Sequence, residues 1–123
     1  MSWLSIPAVL QFIVGLGLLN VWLLRSQTAT EYRGGSATSL KEEFRAYGLP
    51  DIAFYVVGAL KILAGIVLIA GIWINLPVTI AAAVVAVLMV GALAMHVKVR
   101  DPIKKSVPAA LMLVMSLAIV VLR

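Results

Sequence analysis

Four polar side chains stand within or at the ends of apolar runs, where little else could do chemistry: Asn20, Arg25, Lys61 and His96. Lys61 lies in Gly58-Ala59-Leu60-Lys61-Ile62-Leu63-Ala64-Gly65, a stretch with no other charge. Buried charges are costly and mark functional positions by default. Three roles are open to this ammonium: a snorkelling group with a structural partner, a contact to a ligand or partner protein, or a proton carrier. Its candidate partners are Asp51, Asp101, Tyr47, Tyr55, backbone carbonyls or a ligand, because no carboxylate falls inside an apolar run. His96 closes another such run, on the face that carries Met89 and Ala92. It is open to hydrogen bonding, to ligand or partner contact, and to protonation near the membrane boundary. Asn20 is placed to hydrogen-bond between helices, and Gln11 lies deeper with the same capacity.

The same inventory excludes several chemistries within the chain. With one histidine and no cysteine, there is no disulfide, iron–sulfur cluster, bis-histidine haem or cysteine–zinc site. No metal ligand set is expected. Ser106 and Ser116 have no base that the sequence sets beside them. No nucleophile–base pair is therefore visible, and a non-catalytic role is expected.

The elements that must position these residues are membrane spans. The chain is 63% hydrophobic and 12% charged, with a mean hydropathy of +1.12. Soluble domains carry about 25% charged residues, and so few polar groups could not cover a soluble surface. About 20 apolar residues cross a bilayer as a helix. The apolar runs predict four spans, over 3–24, 52–76, 77–97 and 107–122, in a single transmembrane domain of residues 1–123. Asn75-Leu76-Pro77 makes a tight hairpin between the second and third. The fold class is all-α, a bundle of four transmembrane helices. Gly15, Gly17, Gly58, Gly65, Ala82 and Ala86 offer small surfaces for close helix packing.

Two charged loops, 25–51 and 98–106, separate the spans. In the first, Ser39 precedes Glu42 at capping-box spacing. Leu40, Phe44 and Tyr47 then recur at helical spacing, and Gly48 is suited to close the turn. This predicts a short interfacial amphipathic helix over about 40–47, between helices 1 and 2, at headgroup level. Trp22 and Arg25 suit an interface anchor. Of ten Lys and Arg residues, four fall in each loop. The positive-inside rule then sets both loops in the cytoplasm and both termini outside, in the plasma or inner membrane. Topology also accounts for the net charge of +5, and no nucleic-acid partner is expected. Asn20, Arg25, Lys61 and His96 all fall in the cytoplasmic half, as the mouth of a polar pocket.

The order of these features resembles the DoxX-like family of small four-helix membrane proteins. The resemblance rests on Leu23-Leu24-Arg25 closing the first span and on Phe44 with Tyr47-Gly48-Leu49-Pro50 before the second. It continues through Gly58 to Gly65, with a charged residue shortly before a glycine. Ala92-Leu93-Ala94-Met95-His96, Asp101-Pro102 and Pro108 complete it. Many relatives carry Glu where Lys61 stands, so a carboxylate-based proton role is not carried over. The resemblance implies a link to redox assemblies such as a membrane thiosulfate–quinone oxidoreductase, with distant relatives among assembly or cargo factors.

The expected function is a non-catalytic membrane subunit or anchor of a redox-related assembly. It would contact the lipid bilayer, act as a homo-oligomer or within a larger complex, and bind a quinone or a lipid as its ligand. A small oligomeric transporter or channel is the alternative, beside an assembly factor for other membrane proteins.

Overall fold

Proline and serine set where the helices begin. Ser5 caps α1 (Ile6–Leu19), its hydroxyl accepting the Ala8 N–H at 3.3 Å, with Pro7 in the first turn. Pro50, Pro77 and Pro102 stand immediately before α3 (Asp51–Ala70), α4 (Val78–Lys98) and α5 (Ile103–Leu122). A proline there disfavours a helical residue before it and pre-sets its own φ. The structure is a computed structural model that describes residues 5–25, 32–35 and 37–123. The start of the first predicted span at Trp3, and Glu31 and Ser36 in the first loop, lie outside the described residues.

Four helices are long and apolar enough to cross a membrane: Ile6–Leu24, Asp51–Ala70, Val78–Lys98 and Ile103–Leu122. The described residues are all helix and connection. α1 packs on α3 and α5, and α4 packs on α3 and α5, so the spans close a ring in the order α1, α3, α4, α5. Val14, Leu18, Leu68, Val78, Ala82, Val85 and Ile119 fill the middle, each no more than 2% exposed. The outer faces carry exposed Ile80, Val87, Val114 and Val121, the apolar exterior that a bilayer covers.

Glycine sets the closest helix approach. A Cβ on Gly15 would lie 2.8 Å from the Gly65 carbonyl oxygen, and one on Gly65 would lie 3.2 Å from that of Gly15. Gln11 ties the same two helices, donating from Nε2 to the Leu68 carbonyl at 2.9 Å. Its Oε1 accepts from Arg123 at 2.9 Å. Both termini of the described chain and the 71–77 connection therefore share one end of the bundle.

Two boundaries differ from the sequence reading. The second span stops at Ala70, and turns occupy Gly71–Ile74, so the hairpin connection runs over 71–77. Gly71 ends the helix there because the Val78 side chain packs onto its bare Cα. The last helix starts at Ile103, ahead of the expected 107, because Pro102 begins it and Lys105 finds a partner across the molecule at Gly35. Only residues 99–102 then lie between α4 and α5.

α2 (Leu40–Ala46) follows its capping signal. The Ser39 hydroxyl accepts the Glu42 N–H at 3.2 Å. The Glu42 carboxylate turns to the Thr38 N–H, at 2.8 Å, and to its hydroxyl, one residue before the reciprocal bond of a capping box. Gly48, at φ +80°, ends the helix, and the Leu49 N–H bonds the Phe44 carbonyl at 3.0 Å. Leu40, Phe44 and Tyr47 are buried. They pack inward on the bundle, with Phe44 against Trp22 and Phe54. α2 is thus a cap over the end of the bundle opposite the termini.

Candidate functional site

The last turn of the first span aims its side chains inward. α1 widens into a π-helical turn, Asn20–Leu24, which Arg25 closes by giving its N–H to the Asn20 carbonyl at 2.9 Å. Such insertions shift the register of a helix and recur at functional sites. Here the turn buries Trp22, which is 7% exposed. The indole enters the space left by Gly58, where a Cβ would lie 2.5 Å from its ring. Phe44 and Phe54 enclose it, with ring centroids 6.0 and 5.3 Å away. The sequence suggested an interface anchor for Trp22, whereas the structure makes it an internal platform.

Lys61 stands over this platform. It lies roughly 15 Å along α3 from Asp51 at the helical rise, and its Nζ is 5.5 Å from the Trp22 ring centroid. That is cation–π distance. The partners expected for Lys61 are engaged elsewhere. Asp51 pairs with Arg45 at 3.0 Å and Lys41 at 3.9 Å. Tyr55 accepts from Lys41 at 3.1 Å, Tyr47 donates to Glu43 at 2.6 Å, and Asp101 holds His96 at 2.7 Å. Among the described residues Lys61 has no hydrogen bond and no ion pair.

A cavity of about 330 Å³ opens above the indole and the ammonium. Asn20, Arg25, Lys61 and His96 all line it, together with Trp22, Arg33, Glu43, Met89, Lys105 and Met112. The depth shared by the four sequence candidates is therefore also a shared space. The Asn20 amide has no hydrogen-bond partner among the described residues. Among the described residues four Lys and Arg side chains border the cavity against one carboxylate, Glu43. That carboxylate is already satisfied by the Tyr47 hydroxyl at 2.6 Å and by Arg33 at 3.4 Å. Burial raises the Tyr47 hydroxyl above the ordinary phenol range, and the bond to Glu43 adds to it. Tyr47 stays a neutral donor.

The rim is fastened from several elements. α4 ends with Arg100 at φ +57°, and the Asp101 N–H returns to the His96 carbonyl at 2.9 Å. This reversal folds the Asp101 carboxylate back onto His96 Nδ1. Its other oxygen accepts the Gly35 N–H at 3.0 Å, with Lys105 Nζ 3.8 Å away. Lys105 donates to the Gly35 carbonyl at 2.6 Å, and Lys98 to the Tyr47 carbonyl at 2.7 Å. Burial alone would raise the Asp101 carboxyl. The His96 bond, the Gly35 N–H and the Lys105 charge outweigh it and hold the group below its ordinary value. With Asp101 ionised, its carboxylate accepts the Nδ1–H of His96, and Nε2 is left facing the cavity side of the ring. The Tyr47 ring closes on the imidazole edge-to-face, centroids 5.9 Å apart.

Sequence reasoning did not single out Arg33 and Glu43 as cavity residues, nor Asp101 as the partner of His96. One local signal was present for the last pair: an acid five residues after the histidine, directly before a helix-starting proline. Among the described residues no group of His, Asp and Glu could hold a metal ion.

Four apolar spans around a donor-rich cavity at one end define a small polytopic membrane protein with an internal polar site. The chain belongs to the DoxX-like family, whose model matches residues 35–119. No curated protein and no solved structure matches it.

Proposed function

We propose that the chain is a non-catalytic membrane subunit whose cavity holds a lipid-soluble molecule with a hydrogen-bond-accepting head, a quinone or a lipid, within a redox-related assembly. The observation that carries this reading is the Lys61 ammonium, which faces the cavity over Trp22 with no hydrogen bond or ion pair among the described residues. Small-molecule sites are mostly apolar, with a few convergent polar groups, and begin at about 300 Å³. The residues fit a quinone head: Lys61 and the Asn20 amide are donors for its carbonyls, and the indole offers a flat face. A quinone would supply electron carriage; the chain's part is to hold and orient it. The redox setting rests on the family resemblance.

The orientation belongs to the same proposal. The end that carries α2 and the cavity also carries eight of the chain's ten Lys and Arg residues, which favours the cytoplasmic side. A reporter fused after Arg123 is then expected outside. A cytoplasmic reporter overturns this orientation.

The test of binding is purification from native membranes in mild detergent, followed by solvent extraction and mass analysis. A lipid-soluble compound near one per chain is expected, depleted in Lys61→Met, with a redox protein co-purifying. Recovery of neither compound nor protein would overturn the reading.

A further inference from the structure

We infer that the cavity takes the acidic head of a single-tailed lipid, a carboxylate or phosphate monoester, on Lys61, and that the tail leaves the bundle past Gly17 to lie along the outer face of α1. This rests on the cavity being a site for a lipid-soluble molecule, as proposed above, and adds the chemistry of the head and the path of the tail.

Charge decides the head. Among the described residues Glu43 is the one carboxylate on the cavity wall, and Tyr47 and Arg33 occupy it. Lys105 is committed to Gly35 and Asp101. Lys61 makes direct contact only with the face of Trp22, and the Glu43 charge it feels is already paired, so neither neutralises it. A neutral head would leave the ammonium uncompensated in an apolar surround, where an unpaired charge is costly. An anion would complete a charge-assisted pair, the strong kind of hydrogen bond. The Asn20 amide and the exposed Arg25 line the same space and add donors.

Packing decides the path of the tail. Along the bundle axis the core is shut: Val14, Leu68 and Val85 are fully buried. Sideways the wall is thin. Gly17 lies at the seam of α1 and α5, and the tip of Met112 covers it, 2.5 Å from where a Cβ would stand. Methionine is unbranched and adaptable, so this cover can move. Beyond the seam, an apolar groove of about 610 Å³ runs along α1, lined by Phe12, Ile13, Leu16, Leu19, Leu23 and Leu24. Gly17 and Asn20 line both the groove and the cavity. The two spaces therefore meet at Gly17, with the Met112 tip between them. A molecule polar at one end and thin and apolar at the other fits both.

Native mass spectrometry of the full chain in detergent tests this, with four probes, palmitate, methyl palmitate, lysophosphatidic acid and decylubiquinone, and with hexanoate as a short-chain control. Palmitate or lysophosphatidic acid is expected to form a one-to-one adduct, and the tighter of the two identifies a fatty acid or a lysophospholipid as the source. Methyl palmitate should bind about tenfold or more weakly, since it keeps the tail and loses the charge. Lys61→Met should lose the acid to a similar degree and Lys61→Arg should keep it. Leu16 is 51% exposed, so Leu16→Trp should fold and crowd the groove. It is expected to weaken palmitate and spare hexanoate, which is too short to reach it, and Gly17→Val should do the same at the seam. Equal binding of palmitate and its methyl ester, or full binding by Lys61→Met, overturns the acidic head. Unchanged palmitate binding in both Leu16→Trp and Gly17→Val overturns the tail path. Binding of decylubiquinone alone overturns this inference and leaves the cavity a ligand site. Failure of all four probes brings down both proposals.

Discussion

Asp101 Oδ2 lies 2.7 Å from His96 Nδ1, and the same carboxylate accepts the Gly35 N–H through its other oxygen at 3.0 Å. One side chain thereby ties the end of α4 to a loop far away in sequence and orients the imidazole of a cavity residue. Asp101→Ala would leave the Gly35 N–H and the imidazole without their acceptor. A buried polar group stripped of its partner costs about 1–3 kcal/mol. The expected outcome is a lower unfolding temperature in detergent and faster proteolysis around Gly34 and Gly35, both measurable on purified protein.

The same carboxylate gives a pH dependence with a definite sign. Its folded value is held below the ordinary one by the His96 and Gly35 bonds and the Lys105 charge, against burial. Its stabilisation is therefore fully present above the ordinary carboxylate value, about 3.9, and is lost as pH falls through the depressed folded value. Thermal unfolding of the native chain should be flat for this group near neutrality and fall on acidification below about pH 4. Asp101→Asn should show a shallower acid fall over the same range.

Much of this architecture was legible in the sequence, and the reasons are local. Four apolar runs and the Ser39 to Gly48 signals each act within a few residues, so order along the chain reveals them. The shared depth of Asn20, Arg25, Lys61 and His96 was legible because helical rise converts residue number into height. What was not legible depended on rotation and distant pairing. The π-helical turn that carries Trp22 inward adds a residue to one turn, and no composition signal marks it. The hold of Asp101 and Lys105 on Gly35 joins segments some 70 residues apart. The face of α2 was read correctly as apolar, yet periodicity cannot say whether such a face meets headgroups or the bundle's own Trp22 and Phe54.

Gly15 and Gly91 are both helical glycines, and their surroundings predict opposite outcomes. A Cβ at Gly15 would press on the Gly65 carbonyl, a backbone atom that cannot turn aside, and on Ile69. Gly15→Ala should destabilise by about 1–3 kcal/mol, the range for overpacking. A Cβ at Gly91 meets nothing within 4 Å. Gly91→Ala should stabilise by about 0.5–1 kcal/mol through lower backbone entropy in the unfolded chain. Paired denaturation curves in one detergent measure both.

Arg100 adopts φ +57° without being glycine. A left-handed residue with a side chain costs about 1–2 kcal/mol, here in return for the reversal that returns the Asp101 N–H to the His96 carbonyl. Arg100→Gly should keep the reversal and leave stability equal or higher. Arg100→Val, with its branched Cβ, should lower it and weaken the Asp101–His96 contact, seen as a changed imidazole signal by NMR.

Trp22 and Gly58 make the most direct prediction for the site. The indole lies where a Cβ on Gly58 would stand, 2.5 Å from one ring carbon and 2.8 Å from another. The neighbouring Phe44 and Phe54 rings leave it no second seat on that side. Gly58→Ala must therefore push the ring toward the cavity, because the glycine sits on a helix backbone and cannot withdraw. The displacement would move the platform under Lys61 and reduce the space above it. The expected result is a modest loss of stability, about 1–3 kcal/mol, joined to a larger loss of ligand occupancy. Tryptophan emission should shift with the indole's new surroundings. Gly65→Ala provides the contrast: its Cβ would meet Gly15 and Leu19 outside the cavity wall. It should destabilise the helix crossing and leave the tryptophan emission unchanged. Equal occupancy in Gly58→Ala and the native chain would separate the Trp22 platform from binding.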